Sequence, residues 1–252
     1  MSFFDLYLII TIHLLAFQSK KMEKPIVENE CRTCLYRWEN FKNLTDVELK
    51  QICDHRYHAD FKPGEIIFKK GSPTSSALFL ISGMAKIFLE GLDGKNIIIS
   101  IAKPGVMISG PGTYGDMRHH FTLTALTNVK ACFIDMQIIK QLVHLNSQFA
   151  EGLLADISGK SLLMYYKLIG LTQKKMPGRL ADALLYLSNS IYQSDEFDLI
   201  LNRQELGEFT NMAKESVIRI LKDLEDDGVI TSNCARIKIL DKPKLQMISE
   251  NG

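Results

Sequence analysis

The segment Asn202-Arg203-Gln204-Glu205-Leu206-Gly207, followed by Lys214-Glu215-Ser216-Val217-Ile218-Arg219-Ile220-Leu221, leaves this chain few folding options. In its second part Val217, Ile220, Leu221 and Leu224 fall at i, i+3, i+4 and i+7, which is one buried helical face. Glu215, Arg219 and Lys222 lie on the opposite face, with Lys214 and Ser216 at its N-terminal edge. Asn202 with Glu205 three residues later is a capping-box start for a preceding helix whose inner face is Leu206 and Phe209. Gly207 permits a close helix crossing, and Asn211 stands where the chain must turn sharply in a left-handed conformation. Two short helices joined by a tight turn are expected, a helix-turn-helix.

The solvent face of the second helix has the chemistry to read base edges. Arg pairs bidentately with guanine O6 and N7, and a carboxylate accepts from the cytosine N4 amine. Lys214 and Ser216 sit at the helix N-terminus, where phosphate is favoured. The competing reading of Glu215 and Arg219 is an i,i+4 surface ion pair worth about 0.3–0.5 kcal/mol. Ala213 occupies the N-cap slot, where it costs about 1 kcal/mol relative to Ser or Thr. Beyond Asp227-Gly228, two short strands (Val229–Thr231 and Arg236–Leu240) around a polar turn make a wing that brings Arg236 and Lys238 toward a nucleic-acid backbone. From Leu171 to Gly252 there are 11 Lys and Arg against 13 Asp and Glu, so this module is not basic overall. Its positive charge is localised on residues such as Arg203, Lys214, Arg219, Lys222, Arg236 and Lys238, so modest non-specific affinity and engagement of two half-sites are expected.

Upstream, an apolar-rich run from Ser147 to about Leu171 predicts one helix of roughly 25 residues, nearly 40 Å long. Its apolar face is wide enough to meet its own domain and a second copy of itself. Phe149, Leu153, Ile157, Met164 and Leu168 are the expected dimer contacts, with Ser147 as the expected N-cap. Gln173 to Arg179, which includes Pro177-Gly178, reads as a hinge.

Between Phe61 and Asp135 the pattern changes to short β-rich runs: Glu65–Phe68, Ala77–Ser82, Met84–Leu89, Lys95–Ile101 and Phe121–Leu126. Pro63-Gly64, Gly71-Ser72-Pro73, Ser82-Gly83, Asp93-Gly94 and Lys103-Pro104-Gly105 divide them, which predicts a jelly-roll-like β-roll. A helical stretch is expected at Asp46–His58.

The segment from Arg203 to Asp226 resembles the C-terminal domain of the Crp/Fnr transcription regulators, and Phe61 to Gly71 with Phe79 to Gly83 is similar to the cyclic-nucleotide-binding β-roll. The resemblance covers the chain from about Cys31 onward. It implies an α+β fold made of an N-terminal double-stranded β-helix, a long dimerisation helix and a C-terminal winged helix-turn-helix. The expected boundaries are 22–145, 146–172 and 173–252. It also implies a cytoplasmic homodimer that binds a palindromic operator in double-stranded DNA and contacts RNA polymerase. In that family the residues matching Glu215 and Arg219 read bases, and the one matching Lys214 contacts DNA. Ile218 stands where the oxygen-sensing branch often has a base-contacting Ser, so the preferred half-site is expected to differ there.

Nucleotide-binding members carry Gly-Glu and then Arg-Ser-Ala or Arg-Thr-Ala. The stretch Ser109 to Phe121 has neither, so cyclic AMP is not the expected effector. Ile108, Gly110, Arg118 and His120 are the candidate pocket residues, with Arg118 a displaced phosphate ligand. His119 and His120 point to opposite faces if they lie on a strand, and a loop-edge pair is the simpler reading.

Cys31-Arg32-Thr33-Cys34 places two thiols at a metal-ligand spacing. The oxygen-sensing branch holds a [4Fe–4S] cluster on N-terminal cysteines plus one in the β-roll. Cys31, Cys34 and Cys132 match three of those positions, the third N-terminal cysteine is absent, and Cys53 is the nearby substitute. An iron–sulfur centre, zinc, a thiol redox switch and cysteines without a sensing role all stay open. The odd total of five cysteines suits a reducing compartment rather than a disulfide framework.

Phe3 to Phe17 is nearly all apolar but too short for a membrane span, and it lacks a positive flank or clear cleavage site. Residues 1–21 read as an upstream extension, with Met22 the expected natural start. No nucleophile–base pair, phosphate-binding loop or hydrolase motif stands out, so no enzyme activity is expected. The alternative reading is a β-roll interaction module whose winged helix contacts protein.

Overall fold

The computed structural model describes residues 31, 34, 38–233 and 235–252, and the apolar segment 1–21 lies outside them. Helix α1 (Asp46–Asp54) starts at a capping box in which Thr45 accepts from the Glu48 N–H while Glu48 returns the bond. It is shorter than expected, because Arg56–His58 belongs to the first strand. That strand is half exposed along its length, so its residues carry little apolar signal.

Eight strands form two four-stranded antiparallel sheets. One is ordered β1 (Arg56–Phe61), β8 (Val129–Asp135), β3 (Ser76–Ser82), β6 (Met107–Ile108). The other is ordered β2 (Ile66–Phe68), β7 (Thr122–Ala125), β4 (Ala85–Glu90), β5 (Asn96–Ala102). The five strands expected from sequence are present to within one or two residues at each end; β1, β6 and β8 are additions. Strand β3 reads Ala77-Leu78-Phe79-Leu80 because both of its faces are covered. Leu78 and Leu80 point into the roll with Leu123, Ala131 and Phe133, whereas Ala77 and Phe79 point out toward the helices. The turn after β3 needs Gly83, whose φ is +82° and where a Cβ would lie 2.2 Å from the Asn128 carbonyl oxygen.

Helix α2 (Met136–Leu145) leads into α3 (Ser147–Gln173), one unbroken helix of 27 residues. Its N-cap is Asn146 and not Ser147: the Asn146 side chain accepts from the Phe149 N–H at 3.0 Å and donates to the Asn43 carbonyl at 2.9 Å. Its first two turns deliver Phe149 and Leu153 into an aromatic cluster with Trp38, Phe41 and Phe79.

The expected hinge at Gln173 to Arg179 is a shorter break. Only Lys174 and Lys175 are extended, and α4 (Met176–Tyr186) begins with Pro177 in its first turn. There the missing N–H of proline costs nothing, and its fixed φ suits the helix. Gly178 is needed for contact rather than bending, since a Cβ there would fall 2.9 Å from Gly252, which caps the final helix, α7 (Lys242–Asn251).

The C-terminal module adds β9 (Glu196–Asp198), α5 (Arg203–Thr210), α6 (Lys214–Asp226), β10 (Ile230–Asn233) and β11 (Arg236–Ile239). The wing is therefore a three-stranded antiparallel sheet ordered β10-β11-β9. This module packs on the β-roll through one joint. Ile98 and Ile101 of β5 enter the core formed by Leu184, Leu206, Val217 and Leu221. Lys86 pairs with Glu205 at 2.8 Å with both side chains 17% exposed, and Lys103 donates to the Ser190 carbonyl at 2.6 Å.

Candidate nucleic-acid interface and sensing sites

The two helices α5 and α6 are set by local devices. Asn202 accepts from the Glu205 N–H and Glu205 accepts from the Asn202 N–H, closing the capping box at 2.9 Å in each direction. Asn211 takes φ 52°, ψ 53°, the left-handed conformation expected of it. Gly207 serves the turn itself, for a Cβ there would lie 2.6 Å from the Met212 carbonyl oxygen. The N-cap of α6 is Ala213, which supplies no side-chain bond.

Val217, Ile220, Leu221 and Leu224 are buried as the spacing requires. Lys214, Glu215, Arg219 and Lys222 are exposed on the opposite face, and Ser216 is half-buried at its edge. Among the described residues no ion pair joins Glu215 and Arg219. Beside them, at the edge of the same face, stands Ile218, 47% exposed.

The remaining cationic candidates are tethered. Arg203 donates to the Ser232 hydroxyl at 3.1 Å, fixing the start of α5 to the wing. Arg236 and Lys238 both pair with Glu196, at 2.6 and 3.4 Å. The third wing strand supplies that carboxylate, and the sequence pattern gave no sign of it. A shallow groove of about 320 Å³ between α6 and the wing is lined by Arg203, Ile218, Lys222, Glu225 and Ser232.

Of the expected dimer contacts, Phe149 and Leu153 are core residues, 0% and 6% exposed, because the aromatic cluster claims them. Ile157, Met164 and Leu168 are exposed, and so are Leu154 and Tyr165. Leu154, Ile157, Ser161, Met164 and Leu168 follow alternating steps of three and four, an apolar seam phased one residue away from Leu153. Lys167, near the C-terminal end of α3, has its ammonium 3.4 Å from the centre of the Phe209 ring and donates to the Phe209 carbonyl. Burial holds its pKa down to about 7, against the opposing pull of Asp182.

The four effector-pocket candidates do not converge. Ile108 is core. Arg118 is exposed and donates to the Gly71 carbonyl, and His120 is exposed beside Asp116 at 3.0 Å. Of the two adjacent histidines the buried one is His119, 1% exposed, stacked on Phe68 at 4.2 Å and adjoining Gly110 and Thr74. Among the described residues neither ring nitrogen of His119 has a hydrogen-bond partner, and neither do the hydroxyls of Thr74 and Thr113. Burial lowers the His119 pKa, so the neutral ring is favoured. The sequence showed two adjacent histidines but not which one the roll encloses.

The cysteine candidates do share a neighbourhood. Cys132 of β8 lies opposite His58 of β1 and Phe79 of β3. Cys31 and Cys53 are hydrogen-bonded to each other, Arg56 is bonded to Cys53 and Cys132, and Cys34 lies within electrostatic reach of Cys132. Burial pushes the Cys31 thiol up to about 12. At Cys53 burial acts in the same sense, yet the bonds from Cys31 and Arg56 outweigh it and leave its pKa lowered. Among the described residues no three His, Cys, Asp or Glu side chains close around a single ion. No described helix is long and apolar enough to cross a membrane.

Comparison with known proteins agrees with this geometry. Residues 59–146 match the cyclic nucleotide-binding domain and residues 178–248 the Crp-like helix-turn-helix domain. The cAMP-activated global transcriptional regulator CRP of Escherichia coli O157:H7 is 23% identical over 196 residues, 76% of this chain and 93% of that protein. The transcriptional activator protein FnrA of Stutzerimonas stutzeri is 24% identical over 184 residues, 71% of this chain and 75% of that protein. Among solved structures, FixK2 from Bradyrhizobium japonicum superposes with a TM-score of 0.72 at 18% identity, covering 78% of this chain and 98% of that one. At that identity the likeness to FixK2 establishes the fold.

Proposed function

This chain belongs to the Crp/Fnr family of DNA-binding transcription regulators, and from that premise we propose that it acts as a homodimer reading a palindromic operator in double-stranded DNA. The observation that carries this reading is the exposed face of α6, where Lys214, Glu215, Arg219 and Lys222 stand clear of the core. Glu215 and Arg219 read base edges. Lys214 and Ser216 at the helix N-terminus take phosphate, and Lys222, Arg203, Arg236 and Lys238 flank the groove. The seam Leu154, Ile157, Met164 and Leu168 pairs two copies, with Tyr165 beside it, and so sets the spacing of the two reading helices. Promoter-bound dimers then contact RNA polymerase, in the cytoplasm.

Arg219→Ala tests the assignment: it should cost about 1–3 kcal/mol against the cognate duplex and relax the preference at one base pair per half-site. An unchanged base preference in a fluorescence-anisotropy competition overturns it. Binding that shows no fall with rising salt would favour the reading in which the winged helix contacts protein.

For the signal, the thiol neighbourhood around Arg56 supports cysteine chemistry over a cyclic nucleotide. The phosphate-holding role has no donor in place, since Arg118 is turned to the Gly71 carbonyl. Cys31, Cys34, Cys53 and Cys132 lie near one another but do not close around a single ion among the described residues, and burial keeps the Cys31 thiol protonated, so a [4Fe–4S] centre would need them to converge and lose protons. Iron and acid-labile sulfide assays on protein purified without oxygen decide: stoichiometric iron and sulfide support the cluster, and an iron-free protein assigns the same residues to thiol chemistry.

A further inference from the structure

The α6 face that carries the polar reading groups also carries one residue of the opposite character. Ile218 lies three positions after Glu215 and four before Lys222, at the edge of the face that borders the groove toward the wing, and it is 47% exposed. The helix already buries Val217, Ile220, Leu221 and Leu224, so Ile218 is surplus to its packing. A β-branched side chain is no aid to an exposed helical position either. Its flank is a groove toward the wing rather than a covering element.

On a surface that meets DNA edges, one apolar group is available to match it. Of the four bases, only thymine presents a methyl group in the major groove; the other edges there are hydrogen-bond donors and acceptors. A branched aliphatic side chain offers no hydrogen bond to those edges and would leave them unpaired on desolvation. We propose that Ile218 is a specificity-determining residue that reads the C5-methyl group of a thymine in each half-site. Adjacent residues on a helix are displaced by only about 1.5 Å along its axis. The thymine therefore lies within one base step of the pair read by Arg219. This inference rests on the DNA-reading role of α6.

The test starts from a random-sequence duplex pool, from which wild-type protein and the Ile218→Ala and Ile218→Ser variants each select sites. The selected wild-type duplex is then remade with deoxyuridine in place of thymidine, one position at a time, which deletes the methyl and nothing else. Burial of one methyl is worth about 0.8 kcal/mol, so wild-type affinity should fall about fourfold per thymine and more than tenfold when both half-sites are changed. Ile218→Ala should bind thymidine and deoxyuridine duplexes equally and should select sites without that thymine. Wild-type binding that is indifferent to deoxyuridine at every selected thymine overturns the proposal. If wild-type protein selects no sequence at all, the DNA-reading role of α6 has failed instead. Circular dichroism of the variants excludes a folding defect, since Ile218 contributes nothing to the core.

Discussion

Glu215 and Arg219 stand four residues apart on α6, and His119 and His120 stand side by side at the edge of β7, yet the two pairs were not equally readable. In α6 the buried set Val217, Ile220, Leu221 and Leu224 is contained in the helix itself, so the solvent face follows by subtraction. In the β-roll the fate of each histidine depends on strands far along the chain. His119 is enclosed because Phe68 stacks on it and Thr74 and Gly110 close around it, while His120 turns outward to Asp116. A module whose geometry is fixed by one helical period exposes its chemistry in the sequence. A closed roll hides its chemistry until the register is known.

The contrast is sharpest where helix α3 leaves the β-roll. Phe149 and Leu153 carry the same period as the dimer seam, but the cluster of Trp38, Phe41 and Phe79 removes them from it. Phe149→Ala should therefore behave as a core deletion, costing about 3–5 kcal/mol of unfolding free energy. Leu168→Ala should cost little in the monomer and act on dimer affinity. Chemical denaturation at several protein concentrations separates the two: a concentration-independent loss for Phe149→Ala and a concentration-dependent one for Leu168→Ala. The reverse pattern would restore Phe149 to the interface.

What could be read from the chain follows the same division. The capping box of Asn202 and Glu205, the left-handed Asn211, the uncapped Ala213 and most of the β-runs rest on short-range rules, and the structure reproduces them. The break at the expected hinge is shorter than the sequence suggests because Pro177-Gly178 is also how a helix starts against a close neighbour, and that neighbour, Gly252, is 74 positions later in the sequence. The partner of Arg236 was missed for the same reason: Glu196 reaches it only once β9 pairs with β11.

Lys86 and Glu205 join the two regions and allow the comparison to be broken experimentally. Glu205 serves both, closing the capping box with one carboxylate oxygen and accepting from Lys86 with the other. Lys86→Met removes the bridge and leaves the cap, so the reading helices should stay intact while the joint weakens. Leaving a half-buried carboxylate without its partner costs about 1–3 kcal/mol. Calorimetry should show the winged helix melting at lower temperature than the β-roll, as a separate transition. An unchanged single transition would mean that the remaining contacts, Ile98 and Ile101 in the core and Lys103 on the Ser190 carbonyl, suffice to couple the two regions.

The smallest effect concerns Lys167, which belongs to both regions because α3 carries it and α5 surrounds its ammonium. Burial holds its folded-state pKa at about 7, below the ordinary value of 10.5. Between those values the unfolded chain binds a proton that the folded chain does not, so this residue makes stability rise with pH across that window. Below about pH 7 both states are protonated and its cost is complete. Lys167→Met keeps the contact with the Phe209 ring, removes the buried charge and gives up one hydrogen bond to the Phe209 carbonyl. The variant should equal or exceed wild-type stability at neutral pH. Its advantage should shrink as pH approaches 10, where wild-type Lys167 is neutral in the fold. Parallel pH profiles for the two proteins would show that the ammonium stays solvated, and the local rules that govern α6 would then extend to its junction with α3.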